Sequence, residues 1–210
     1  MQKDSVSEQT MLIAEMCQNH NGNPEILEEM VRLAADAGAT HAKIQGIYSA
    51  ELVYRERFEV GGSGRPRPFE AEFKRLESLE LTEATEKSFV EWCLLYGVTP
   101  MITVFTHAGI DRAVRQGFTS FKIASYDCTS LALIERCLPH AQELVVSTGG
   151  TRWDDISKTA ELLSSWSSRV DARLLHAVTV YPTSLGDFNP ARMLALQLFG
   201  LPFGLSLIHI

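Results

Sequence analysis

The chain is poor in cysteine, has no apolar run of membrane length, carries no surplus of cations and contains no Gly-x-Gly-x-x-Gly turn. Each absence excludes something. The four cysteines, Cys17, Cys93, Cys128 and Cys137, follow neither metal-site nor redox-motif spacing, so reduced thiols and a cytoplasmic location are expected. A formal charge of −7 argues against non-specific nucleic-acid binding, and an anionic substrate would have to be held by a few local cations. Without the glycine fingerprint a dinucleotide-binding Rossmann turn is not supported, and without a long apolar segment no membrane partner is expected. What remains is a chain of 210 residues, 45% of them hydrophobic, which is enough to bury a substantial core.

The stretch that organises the rest is Met11-Leu-Ile-Ala-Glu-Met-Cys-Gln-Asn-His-Asn-Gly22. It begins as a short apolar run of the kind a buried strand shows and ends in a polar turn closed by Asn21-Gly22 and Asn23-Pro24. Glu15 sits where the apolar run gives out, and burying a carboxylate there is costly unless it is paired or used. The alternative is a partly solvated strand-end glutamate. His20 and Asn21 lie in the turn, where bonds to the backbone explain them. Residues 1–10 are polar, carry no targeting pattern and are expected to form a disordered tail.

Downstream, Pro24–Ala37 carries apolar residues at helical spacing, followed by a short strand Thr40–Gln45. A long segment to about Glu70, containing Gly61-Gly-Ser-Gly-Arg-Pro-Arg-Pro68, is expected to be a mobile loop that covers the site. Thr82 caps a helix to Tyr96; strands are expected at Met101–Phe105 and Ser120–Ser125 with a helix at Ala108–Gln116 between them. The junctions Gly38-Ala-Thr40, Gly97-Val-Thr99 and Gly117-Phe-Thr119 share a grammar: a glycine helix stop, an apolar residue, then a β-branched residue that starts a strand. Further units follow at Leu144–Ser147 with Asp154–Trp166, and at Arg173–Val178 with a helix opened by Asn189-Pro190, before a seventh strand near Phe203. Seven successive units favour an α/β, TIM-type (β/α)8 barrel over a doubly wound sheet. A complete barrel needs eight strands and about 250 residues, so the barrel is expected to be incomplete.

The C-terminal strand ends would display Glu15, Lys43 with Gln45, Thr103, Lys122 with Ser125, Ser147 with Thr148, and His176 with Thr179 and Tyr181, all toward one side of the barrel. Lysines inside Ala42-Lys-Ile44 and Phe121-Lys-Ile-Ala124 lie within apolar strands. Two inward lysines make an anion site; the alternative is lysines reaching along the strand end to water. Ser147-Thr-Gly-Gly150 offers hydroxyls and backbone N–H groups to a phosphate or carboxylate. His176, after Leu174-Leu175, reads more readily as a buried hydrogen-bonded histidine than as a metal ligand.

Ile13-Ala-Glu with Asn19-His-Asn-Gly22, Ala42-Lys-Ile-Gln45, Phe121-Lys-Ile-Ala-Ser125, Leu144-Val-Val-Ser-Thr-Gly149, and Leu174-Leu-His with Tyr181-Pro-Thr183 together resemble the sialic acid synthase (N-acetylneuraminate synthase) family, in order, from about Met11 to Ser206. The resemblance implies a barrel that condenses phosphoenolpyruvate with an N-acylated amino sugar aldehyde, usually N-acetylmannosamine, to a sialic-acid-type nonulosonate with release of phosphate. It implies a divalent metal, manganese or magnesium, and a domain-swapped homodimer in which a C-terminal antifreeze-like domain covers the partner's site. By this analogy Lys43, Lys122, Ser125, Ser147 and Ser206 hold phosphoenolpyruvate, Gln45 and Tyr181 line the sugar pocket, and Glu15 acts at the reacting centre.

The sequence departs from that family in places. Ile102-Thr-Val-Phe-Thr106 stands where the family often reads Ser-Thr-Pro-Phe-Asp, and Thr179 stands where Asn or Ser is common, which leaves legionaminic, pseudaminic and spore-coat sugar products open. After Phe203-Gly-Leu-Ser206 the family continues Asp-His, whose histidine ligates the metal. Here Leu207-Ile-His-Ile210 follows; His209 is out of register and receives no ligand role. Residues 207–210 are therefore expected to be a non-native terminus, residues 11–206 the truncated synthase barrel, and both the metal ligands and the antifreeze-like domain are expected to be missing. Two other readings stand beside this one: another phosphoenolpyruvate-dependent or Schiff-base aldolase barrel, in which Lys43 or Lys122 is the nucleophile, and an inactive anion-binding fragment.

Overall fold

A computed structural model describes residues 10–59, 66–180 and 182–206. Within them strands and helices alternate as β1 (Ile13–Cys17), α1 (Pro24–Asp36), β2 (His41–Gln45), α2 (Glu56–Glu59), α3 (Phe69–Glu77), α4 (Glu83–Tyr96), β3 (Thr99–Val104), α5 (His107–Gln116), β4 (Ser120–Ile123), α6 (Leu131–Cys137), β5 (Glu143–Ser147), α7 (Trp153–Ser164), β6 (Asp171–Ala177), α8 (Pro190–Ala195) and β7 (Phe203–Ser206). The seven strands pair in chain order, every pair parallel. The sheet curls into an incomplete TIM-type barrel.

Local chemistry sets the boundaries. The side chain of Asn23 accepts from the N–H groups of Glu25 and Ile26 and opens α1 with Pro24 in the first turn; Thr82 accepts from Thr85 and opens α4; Asn189 accepts from Arg192 and opens α8. The three junction glycines, Gly38, Gly97 and Gly117, all adopt the left-handed conformation, with φ of 85°, 77° and 94°. That conformation lets the chain leave each helix and turn directly into the next strand.

The two faces of the sheet differ in kind because side chains alternate along a strand. Ala42, Ile44, Ile102, Val104, Phe121, Ile123, Leu144, Val146, Ala172 and Leu174 face the helices and join one apolar core with Leu27, Val31, Ile110, Ile134, Ile156 and the stacked pair Phe89 and Phe118. Burying each such large side chain contributes about 1.5–3 kcal/mol. The opposite face lines the barrel interior and is largely polar, with His41, Lys43, Thr103, Ser120, Lys122, Glu143, Ser147 and Arg173.

Two elements lie where a structureless connection was expected or none was assigned. The segment after β2 contains a 3-10 turn at Ser49–Glu51, then α2, and continues after residue 66 into α3. Phe69 stacks edge-on with Tyr54 and lies against Phe73, so this segment packs through its own aromatics. Between β4 and β5, α6 buries Leu133, Ile134 and Cys137 and completes the fourth βα unit.

Candidate active site

The strand register brings the interior lysines together from separated sequence positions. Glu15 lies opposite Lys43 in the β1–β2 ladder; Thr103 lies opposite Lys122 across β3 and β4; Lys122 lies opposite Val145, and Val145 opposite Arg173. Glu15, Lys43, Lys122, Arg173, Gly204 and Ser206 line one cavity of about 690 Å³ that opens between β1 and β7.

Lys43 is 2% exposed. Its Nζ donates to Glu15 Oε2 and, at 3.0 Å, to Thr103 Oγ1. The second oxygen of that carboxylate, Oε1, accepts the backbone N–H of Cys17 at 3.0 Å. Lys122 sits in the same field under different conditions: burial, and then the positive charge of Lys43, push its ammonium down to about 8, with Glu15 opposing the shift. One carboxylate therefore serves two buried lysines, and Glu15 is already bonded to the first. The arrangement favours an incoming anion, which would stabilise the charged form of Lys122.

The mouth of the barrel supplies hydroxyls and an N–H cradle. Ser125 begins the 3-10 turn after β4, and its Oγ accepts from Gly149 N–H at 3.1 Å. Gly149 has no room for a side chain: a Cβ there would lie 2.9 Å from both Ala177 O and Ser125 Oγ. Ser147, at the end of β5, is 2% exposed and its Oγ has no protein partner. A buried hydroxyl without a partner is costly, and it is a natural donor to a ligand in the adjoining space.

Of the residues expected to bind phosphoenolpyruvate, Lys43, Lys122 and Ser206 line the interior cavity, while Ser125 and Ser147 lie at the strand ends above it. Gln45 ends β2 opposite Thr103 but is not among the residues lining that cavity. Tyr181 lies outside the described residues. His176 is the buried hydrogen-bonded histidine that its sequence context suggests, but it does not face the same side as the other strand-end residues. Its neighbours Arg173 and Leu175 line the interior, so by alternation it faces the other side of β6, where Nε2 lies 2.7 Å from Phe188 O. It is a buried structural histidine.

The sequence reading passed over several interior groups. Arg173, read there as the start of a strand, projects into the cavity with its Nη2 2.6 Å from Asp171 Oδ2. His41 Nε2 lies 2.8 Å from Glu143 Oε2 across the barrel, joining β2 to β5. That hydrogen bond holds the Glu143 carboxyl below its ordinary range, assisted by Ser120 and by the charge of Arg173. The signal was present for Arg173: like the lysines, it is a cation immediately before a buried apolar residue of an apolar strand, Leu174 as Ile44 and Ile123 are for them. A second cavity of about 530 Å³ lies at the ends of β2, β3 and β4, walled by Tyr48, Glu51, Arg55, Thr106, Tyr126 and Asp127 among others.

For the expected divalent metal the described residues do not fit. Among them no three His, Cys, Asp or Glu side chains converge as a ligand set. Nor is any helix among the described residues long and apolar enough to cross a membrane.

An incomplete TIM-type barrel with two lysines and a carboxylate lining its interior cavity is the class of protein that fold and site define. Within that class the chain belongs to the NeuB family, whose profile matches residues 30–207. It is 28% identical over 201 residues to an uncharacterized protein of Methanocaldococcus jannaschii, covering 95% of this chain and 55% of that one. It is 29% identical over 201 residues to the N,N'-diacetyllegionaminic acid synthase of Legionella pneumophila, covering 93% and 56%. The chain thus spans little more than half the length of these relatives. Among solved structures, the N-acetylneuraminic acid (sialic acid) synthetase of Leptospira borgpetersenii in complex with citrate superposes with a TM-score of 0.81 at 22% identity, covering 95% of this chain and 65% of that chain.

Proposed function

We propose that this chain is the barrel of a synthase that condenses phosphoenolpyruvate with an N-acylated amino sugar aldehyde, N-acetylmannosamine or a related sugar, to give a sialic-acid-type nonulosonate and phosphate. The observation that carries the reading is Lys122: a buried interior ammonium beside Lys43, pushed down to about 8 and provided with no carboxylate of its own. Family membership and the legionaminic acid synthase relative support the same chemistry.

In this reading Lys43, Lys122, Ser125, Ser147 and Ser206 hold the phosphate and carboxylate of phosphoenolpyruvate, with Gln45 and Tyr181 toward the sugar. The C3 carbon of phosphoenolpyruvate forms the new bond to the aldehyde carbon, whose oxygen takes up a proton and becomes a hydroxyl. Water adds at C2 and loses a proton, and the resulting tetrahedral centre collapses to the ketone as phosphate leaves. The buried lysines oppose the substrate's negative charge throughout. Glu15 is placed in the proton transfers. Any divalent metal in the reaction would be held by residues other than those described.

The test is phosphate release from phosphoenolpyruvate with N-acetylmannosamine and with diacetamido-sugar acceptors, with manganese or magnesium present. Glu15→Gln is expected to lower turnover by about 10²–10⁴-fold with little change in phosphoenolpyruvate affinity; near-normal turnover removes Glu15 from that role. Phosphoenolpyruvate binding without turnover for any acceptor would reduce the reading to an anion-binding barrel. The lowered Lys122 ammonium also favours a second reading, a Schiff-base aldolase. Borohydride in the presence of an oxo-acid would trap a covalent adduct at Lys122 in that case and none in the first.

A further inference from the structure

β1 does not run straight past Glu15. The ladder pairs Glu15 with Lys43 and then Cys17 with Ile44, so one residue is inserted, a β-bulge at the end of the strand. An unbroken strand would set Cys17 opposite Gln45, with its side chain on the interior face directly above Glu15. The bulge turns that face away and leaves Cys17 with φ of 50°. This is the left-handed region, which non-glycine residues rarely adopt because Cβ crowds the following carbonyl. In this conformation the Cys17 N–H donates to Glu15 Oε1 at 3.0 Å, while Lys43 takes Oε2. The carboxylate is held at both oxygens, one by the amide two residues on in its own strand and the other by a lysine of the neighbouring strand.

We propose that Cys17 is a positioning residue, and that its left-handed backbone, through its amide and not its thiol, fixes the Glu15 carboxylate toward the interior cavity. The inference rests on the role given to Glu15 above. Backbone strain beside a reacting group is a common way of holding it in one geometry, and a misplacement of about 1 Å costs on the order of 100-fold in rate.

The test is a substitution series ordered by tolerance of the left-handed conformation: Cys17→Gly, Cys17→Asn, Cys17→Ala and Cys17→Val. Turnover is expected to be kept in Gly and Asn, to fall in Ala, and to fall by about 10- to 100-fold in Val, with the KM for phosphoenolpyruvate unchanged throughout. Equal losses in all four would assign the effect to the thiol and overturn the proposal. Parallel losses of phosphoenolpyruvate affinity and thermal stability would do the same, by marking a merely structural role. A readout independent of catalysis covers a Val variant that fails to fold and an inactive chain alike. With 15N-cysteine labelling the chain gives four amide signals for its four cysteines. The Cys17 amide proton is expected to move upfield in Glu15→Ala, and a stationary signal overturns the proposal. If that signal moves while Glu15→Gln turns over normally, the role of Glu15 fails and the amide bond stands.

Discussion

Single residues in the barrel interior act against the stability of the empty protein and in favour of a ligand. Lys122 is the measurable case. Its folded pKa is lowered from 10.5 to about 8, so between those values the unfolded chain binds the proton and the folded chain does not. Stability of the unliganded protein is therefore expected to rise as pH is raised from about 8 to about 10.5, a slope to be followed by urea denaturation and removed by Lys122→Met. Phosphoenolpyruvate affinity is expected to fall over the same range as the ammonium is lost, which titration calorimetry at pH 7 and pH 9 would show. Ser147 makes the same point without charge. Its buried Oγ has no partner, so Ser147→Ala is expected to leave the thermal midpoint unchanged or raise it, while weakening phosphoenolpyruvate binding. At Gly149 the two effects run together: a Cβ would press on Ala177 O and Ser125 Oγ, and Gly149→Ala is expected to cost about 1–3 kcal/mol and to reduce binding. Denaturant midpoints and calorimetry would check both.

Elements show which parts of this protein are legible in its sequence. The three glycine junctions and the capping residues Asn23, Thr82 and Asn189 announced their helices because caps and stops are local chemistry. Lys43 and Lys122 were legible as interior cations because each interrupts an apolar strand. The α6 helix was not: Leu131–Cys137 is short, opens with consecutive apolar residues and has no side-chain cap bond, so no period emerges. The α3 helix follows a glycine- and proline-rich stretch that reads as loop. The His41–Glu143 contact was hidden for a different reason, since its partners are 102 residues apart and meet only through the curl of the sheet. Nor does a strand pattern reveal that Cys17 leaves the ladder. The His41–Glu143 contact also has a consequence at the level of elements, because it ties β2 to β5 across the interior. The Glu143 carboxyl is depressed in the folded state, so its contribution is present above the unfolded value of about 4.5 and is lost as pH falls through the folded one. Glu143→Leu is expected to flatten the acid limb of stability below about pH 4.5, read by urea denaturation; an unchanged limb would show that the tie contributes nothing.

At the scale of the whole fold, the described residues form a sheet with two free margins. Within the described residues β1 pairs with β2 alone and β7 with β6 alone, and both border the interior cavity. Unpaired strand edges recruit other strands. Sedimentation at low and high protein concentration is expected to show growth of larger species as concentration rises, and a single unchanged species would mean that these edges are protected.

Those margins also impose a direction. All the strands are parallel, so a segment that lies between β1 and β7 and runs with them continues the parallel ladder on both sides, leading end at the His41–Glu143 side and trailing end at the mouth where Ser147 and Ser125 stand. A reversed segment would bond in the antiparallel pattern, unlike every other pair in the sheet. A segment with that heading would bring its last residues to the rim where Ser125 and Ser147 stand, above the interior lysines.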